Sequence, residues 1–125
     1  MLTDNWDRWL AAHRSDFVDI IGEVSESHPA MLADHLVTQI CIAIRQGDER
    51  AINLALALLN EDPRMPFGRT LKSQIARAFK SVAGSLNPYQ RHQIVRYRDK
   101  LLALDHPPRE TMEFDRVVRK FDNVL

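Results

Sequence analysis

Between Leu36 and Leu59 the chain reads LVTQICIAIRQGDERAINLALALL, an apolar stretch with one polar interruption near its middle. That interruption decides the fold class. Gly47 offers the left-handed residue that closes one helix, and Asp48 offers the side-chain acceptor that opens the next. On either side lie Leu36, Val37, Ile40, Ile42, Ile44, Ile52, Leu54, Leu56, Leu58 and Leu59, with Cys41, Ala43, Ala51, Ala55 and Ala57 between them. The spacing predicts two helices folded back on one another and buried in a core. Arg45, Asp48, Glu49 and Arg50 break the run, so a membrane-crossing segment is not expected.

The remaining helices follow from periodicity. Trp6, Leu10, Phe17, Ile20 and Val24 recur at four and three residues, with His13 in the gap, which predicts one long amphipathic helix from Asp4 to about Ser27, capped by Thr3 or Asp4 and including Gly22. Helices are then expected over about Ala30–Gln46 and Glu49–Asn60, followed by an irregular link, NEDPRMP, with two prolines. A fourth should start near Phe67 to Arg69, place Leu71, Ile75, Ala78, Phe79 and Val82 on one side, and stop at Gly84. Asn87, Pro88 and Gln90 have the spacing of a capping box that opens a fifth helix, with Ile94, Tyr97, Leu101 and Leu104 as its apolar line. His106, Pro107 and Pro108 break the chain before a sixth, from Arg109 to about Asn123, which packs through Phe114, Val117, Val118 and Phe121.

Charge is divided along the chain, although Lys plus Arg and Asp plus Glu both number 17. Residues 1–62 hold eleven acids and four bases, and residues 63–100 hold nine bases and one acid. On the fourth helix Arg69, Lys72, Arg77 and Lys80 share the side opposite the apolar face, and Arg96 and Lys100 stand one turn apart on the fifth. Such a surface suits an acidic protein partner, or the phosphates of a nucleic acid. The plain alternative is a solvated helix face.

Residues 35–45, HLVTQICIAIR, align with residues 70–80, TLKSQIARAFK. Leu36 and Leu71, Gln39 and Gln74, Ile40 and Ile75, and Ala43 and Ala78 are identical pairs. Each segment opens a helical pair, which resembles the HEAT and armadillo-type helical repeats over roughly residues 30–107. The resemblance implies a binding scaffold in which the first and last helices act as caps. A plain six-helix bundle is the alternative.

No catalytic pattern emerges. The five histidines form no HExxH, the four glycines no phosphate loop, and there is no Gly-x-Ser-x-Gly. SQIARAF resembles the opening of a helix-turn-helix, but Gly84 falls four residues beyond the position of its tight turn. The single cysteine, Cys41, permits no internal disulfide and fits a reducing compartment. The acidic N-terminal residues do not read as a secretory signal.

The sequence therefore predicts a single all-α domain over residues 1–125, with two stacked helical hairpins and N- and C-terminal capping helices. We expect a cytoplasmic, non-enzymatic interaction module with no cofactor, no metal and no membrane association. Arg69, Lys72, Arg77, Lys80, Arg96 and Lys100 are its expected partner-binding residues. The seam of Trp6, Trp9 and His13 is a candidate for self-association as a homodimer.

Overall fold

A computed structural model describes the backbone of residues 2–22, 29–65 and 67–122 and the side chains of residues 6–22, 32–65 and 67–121. The described residues form six α-helices: α1 (Leu2–Ile21), α2 (Pro29–Arg45), α3 (Glu49–Glu61), α4 (Gly68–Ser81), α5 (Pro88–Leu102) and α6 (Glu110–Asp122). No strand occurs among the described residues, so the all-α, six-helix expectation is met. None of the helices is long and apolar enough to cross a membrane.

The local signals act where the sequence places them. Gly47, at φ +79°, closes α2. Its N–H donates to Ile44 O at 2.9 Å, and the Asp48 N–H donates to Ala43 O at 3.0 Å, the paired bonds of a Schellman turn. Asp48 then caps α3 by accepting from the Arg50 N–H at 2.9 Å. At α5 the capping box is complete: Asn87 Oδ1 accepts from the Gln90 N–H at 2.8 Å, and Gln90 Oε1 accepts from the Asn87 N–H at 3.0 Å.

Helix ends differ from expectation in α1, α4 and α5. The first helix begins at Leu2, so Thr3 and Asp4 lie inside it, and it stops at Ile21 because Gly22 takes φ +82° with its N–H on Val18 O. The expected extension to Ser27, including Val24, falls outside the described residues. Helix α4 ends at Ser81, and a single 3-10 turn over Ala83–Ser85 leads towards α5. Leu104 lies beyond the end of α5 and is 49% exposed, so it is no part of that helix's buried line.

The helices lie in two rows of three. In one row α4 packs between α2 and α6, through the most extensive contacts in the molecule. In the other, α3 lies between α1 and α5. The rows meet where α2 packs on α3 and α6 on α5. The first predicted hairpin, α2 with α3, is present. The second is spread open: α4 and α5 have little direct contact, because α6 packs against both. Thus α6 fills the space between them rather than only closing the end of a stack.

The central position of α4 explains its composition. Ile75, Ala76, Ala78 and Phe79 are fully buried, a face wide enough for neighbours on two sides. Ala76 and Ala78 keep the helix slim where α2 and α6 approach. Trp6, Phe79, Phe114, Leu36, Ile44 and Leu59 are the largest fully buried side chains, each contributing about 1.5–3 kcal/mol on burial. Cys41 is buried in the same core, where desolvation pushes its thiol up to about 11 despite the opposing influence of Arg45.

Candidate partner-binding surfaces

The geometry around the end of α3 divides the expected basic face. Asp62 ends α3 in the left-handed conformation, φ 48°, with its N–H on Leu58 O at 2.9 Å. This turn presents its carboxylate to both α4 and α5. Lys72 donates to Asp62 Oδ1, and Lys100 approaches Oδ2 at 3.4 Å. Lys72 is 13% exposed at the side chain. It therefore belongs to an inter-helix tie rather than to an open docking face, which corrects its place in the expected surface.

Arg69, Arg77 and Lys80 occupy the outer side of α4 and are exposed. Arg77 Nε stands 3.9 Å from Glu113 Oε2 of α6, a loose pair at the surface. Among the described residues, no carboxylate pairs with Arg69, Lys80 or Arg96. Apart from Lys72, the expected residues thus fall into an outer group on α4, Arg69, Arg77 and Lys80, and a second group, Arg96 and Lys100, that faces a cleft between α3 and α5.

That cleft has a volume of about 590 Å³ and is lined by Leu59 and Asn60 from α3 and by Tyr89, Gln93, Arg96, Tyr97 and Lys100 from α5. Asn60 Nδ2 donates to Gln93 Oε1 at 2.9 Å, fixing the two amides across the gap. Tyr97 is buried, and desolvation raises its phenol well above the ordinary range, helped by the carboxylates of Asp62 and Glu110. It is a neutral wall at physiological pH. Tyr89, in contrast, is 66% exposed. The capping box that starts α5 sets its position, and Gln90 Nε2 anchors that box to Glu49 Oε2 of α3 at 2.8 Å.

The cleft continues along α3. A hollow of about 390 Å³ adjoins it through Asn60 and Tyr89 and is floored by Asn53, Leu56 and Ala57. A further hollow of about 310 Å³ shares Asn53 and Ala57 and reaches His13, Asp16, Asp19 and Arg50. Asn53, Ala57 and Asn60 fall at i, i+4 and i+7, so one stripe of α3 forms the floor of a groove walled by α1 and α5. Its α5 end carries Arg96 and Lys100, and its α1 end carries Asp16 and Asp19 together with Arg50, which Asp48 engages at 3.1 Å.

The wall formed by α1 contains the residues expected to self-associate. Trp6 and Trp9 stack at 5.7 Å, Trp9 meets Phe17 edge-on at 5.9 Å, and the His13 ring lies 4.3 Å from Trp9. Trp9 Nε1 donates to Glu61 Oε2 at 2.8 Å. His13 Nε2 lies 3.2 Å from the same oxygen, while its Nδ1 lies 3.1 Å from Asp16 Oδ2. Trp6 and Trp9 are 1% and 7% exposed within the single chain, so their surface is spent on holding α1 in place. His13 alone of the three remains half-buried at the groove.

Glu61, Asp62 and Tyr89 are the residues of these surfaces that sequence reasoning passed over. Glu61 and Asp62 lay in what read as an irregular link, and only their partners on α1, α4 and α5 reveal their role. Tyr89 follows the Asn87–Pro88 helix start, which fixes its place but not its exposure. Among the described residues, no group of three or more His, Cys, Asp or Glu side chains is arranged to hold a metal ion. Comparison of the chain with protein-family models, curated proteins and solved structures found no match.

Proposed function

We propose that this chain is a non-enzymatic, cytoplasmic α-helical interaction module that docks an acidic protein partner on the cationic surface of α4 and α5. The observation that carries the reading is the exposure of Arg69, Lys80 and Arg96 without a carboxylate partner among the described residues. Cations already paired have little left to offer an incoming anion, whereas unpaired ones steer and hold it. Lys72 and Lys100 contribute less, because Asp62 already engages both. A scaffold role is also what the resemblance of residues 30–107 to HEAT-like repeats implies.

The same outer face of α4 favours a second reading, a nucleic-acid-binding accessory protein, since Arg69, Arg77 and Lys80 lie along one side of a single helix. A triple variant, Arg69→Glu, Lys80→Glu and Arg96→Glu, separates the two. These residues make no ion pair among the described residues, so the variant should fold. Affinity capture with the natural chain should retain proteins rich in Asp and Glu that the variant loses. Binding of labelled duplex or single-stranded DNA or RNA that falls steeply between about 50 and about 200 mM salt would instead favour the nucleic-acid reading. Identical captured proteins for both chains would overturn the docking role of this surface.

A further inference from the structure

The cleft between α3 and α5 has the composition of an interface centre rather than of a general charged surface. Tyr and Arg are enriched where partner proteins anchor, because each combines a broad apolar contact with directed hydrogen bonds. Here Tyr89, 66% exposed, lines the cleft two turns of α5 before Arg96, and Leu59, itself 1% exposed, lies in the floor. The rest of the lining is held in place. Asn60 and Gln93 are bonded to one another, and Tyr97 is buried in the wall.

Resting on the reading of the chain as an interaction module, we propose that this cleft seats one acidic residue of a peptide segment from a partner protein. The side-chain carboxylate pairs with Arg96, and the apolar residue that follows lies against Tyr89. A guanidinium matches a carboxylate through two parallel hydrogen bonds, which a lysine cannot supply.

Charge around the cleft selects the occupant. Asp62 takes up Lys72 and Lys100 together, so those three groups leave a net charge of only +1, and Arg96 adds one more. One carboxylate is accommodated; a row of phosphates is not. A nucleic-acid strand following the groove would leave these cations for Asp16 and Asp19 at the α1 end, where Arg50 is already engaged by Asp48 and the two carboxylates oppose it. A peptide avoids this conflict, because it needs an acid at the α5 end alone. The same asymmetry orients the segment: acidic residues are favoured over α5 and disfavoured over α1.

The test uses the full chain labelled with nitrogen-15 and two blocked dipeptides, N-acetyl-glutamyl-leucine amide and N-acetyl-glutaminyl-leucine amide. The side-chain amides of Asn60 and Gln93 and the backbone amides of Tyr89 and Arg96 should shift saturably with the glutamyl probe. They should respond about tenfold more weakly to the glutaminyl probe, the loss expected for one charge-assisted pair. Arg96→Gln should remove the difference between the probes, and Lys80→Gln should preserve it. The docking surface on α4 and the cleft are separable in the same spectra. Shifts centred on Arg69, Arg77 and Lys80 with the cleft silent would overturn the cleft assignment while leaving the module reading in place. Absence of any saturable shift in the cleft would also overturn it. Tighter saturation of the cleft by a thymidine pentanucleotide than by the glutamyl probe would overturn the peptide as occupant.

Discussion

The indole N–H of Trp9 donates to the carboxylate of Glu61 at 2.8 Å, joining the first helix to the end of the third across 52 positions of sequence. The same oxygen lies 3.2 Å from His13 Nε2. One carboxylate therefore meets two rings of α1, and its loss should loosen that helix. Trp9→Phe removes the donor together with one ring of the buried indole. It should destabilise the fold by about 2 kcal/mol, part from the lost bond to Glu61, whose side chain is 53% exposed, and part from the lost packing. Urea unfolding of the two proteins checks this; equal midpoints would mean that neither the bond nor the lost ring secures α1.

Asp62 offers a different test because it joins structure to binding. Its left-handed backbone suits Asn as well as Asp, so Asp62→Asn should keep the turn while releasing Lys72 and Lys100. Removal of the partly buried tie should lower stability by about 1 kcal/mol. Affinity for an acidic peptide should rise, since two ammonium groups lose their internal counter-ion. Titration of the natural and variant chains with the glutamyl dipeptide measures the change. A fall in affinity would show that Asp62 positions Lys100 for binding rather than competing with its ligand.

The contrast between these residues and the helix caps explains what could be read beforehand. A cap is written within one turn of chain: Gly47 with Asp48, and Asn87 with Gln90, carry their partners at fixed short spacing. The six-helix composition followed from such signals and from the period of the apolar residues. Glu61 and Asp62 have partners 52, 48, 10 and 38 residues away, and those contacts depend on how each helix is rotated about its axis. Lys72 shows how small the margin is. It belongs to the polar side of α4, yet it faces α3 and α5 while Arg69 and Lys80 face outward. The wedge formed by α6 was likewise hidden, since nothing local to its sequence says that α4 and α5 part to admit it.

Phe67 stands just before α4 at φ 54°, a left-handed conformation that a bulky side chain rarely takes, and it is 65% exposed. Packing recovers little for the strain. Phe67→Asn should therefore stabilise the chain by about 1 kcal/mol, as Asn tolerates this backbone region. Gly47→Ala is the reverse case. A methyl group there meets nothing within 4 Å, but φ +79° opposes any Cβ, so a loss of about 1 kcal/mol is expected from conformation alone. Opposite shifts in the thermal midpoint should appear; destabilisation by Phe67→Asn would mean that the exposed ring makes a contact worth more than its strain.

Asp115 provides the dependence on pH. Arg119 Nε donates to its Oδ2 at 2.8 Å, and Arg98 Nη1 of α5 donates to its Oδ1 at 2.7 Å. These bonds, that of Arg119 first, hold the carboxyl below its ordinary value of 3.8, against a smaller opposing effect of burial. The unfolded chain consequently takes up the proton at higher pH than the folded one. The stabilisation is complete above the unfolded value and is lost as pH falls through the lower, folded value. Asp115 and Arg98 are 29% and 19% exposed at the side chain, so solvent screening keeps the contribution to about 1 kcal/mol or less. Thermal unfolding followed from about pH 6 to about pH 2.5 should show the natural chain losing stability faster than Asp115→Asn, with the two curves converging at the acid end. Parallel curves would mean that Arg98 and Arg119 bind the carboxylate no more tightly in the folded chain than water does in the unfolded one, and that α5 and α6 are held by their apolar contact through Tyr97 and Phe114 instead.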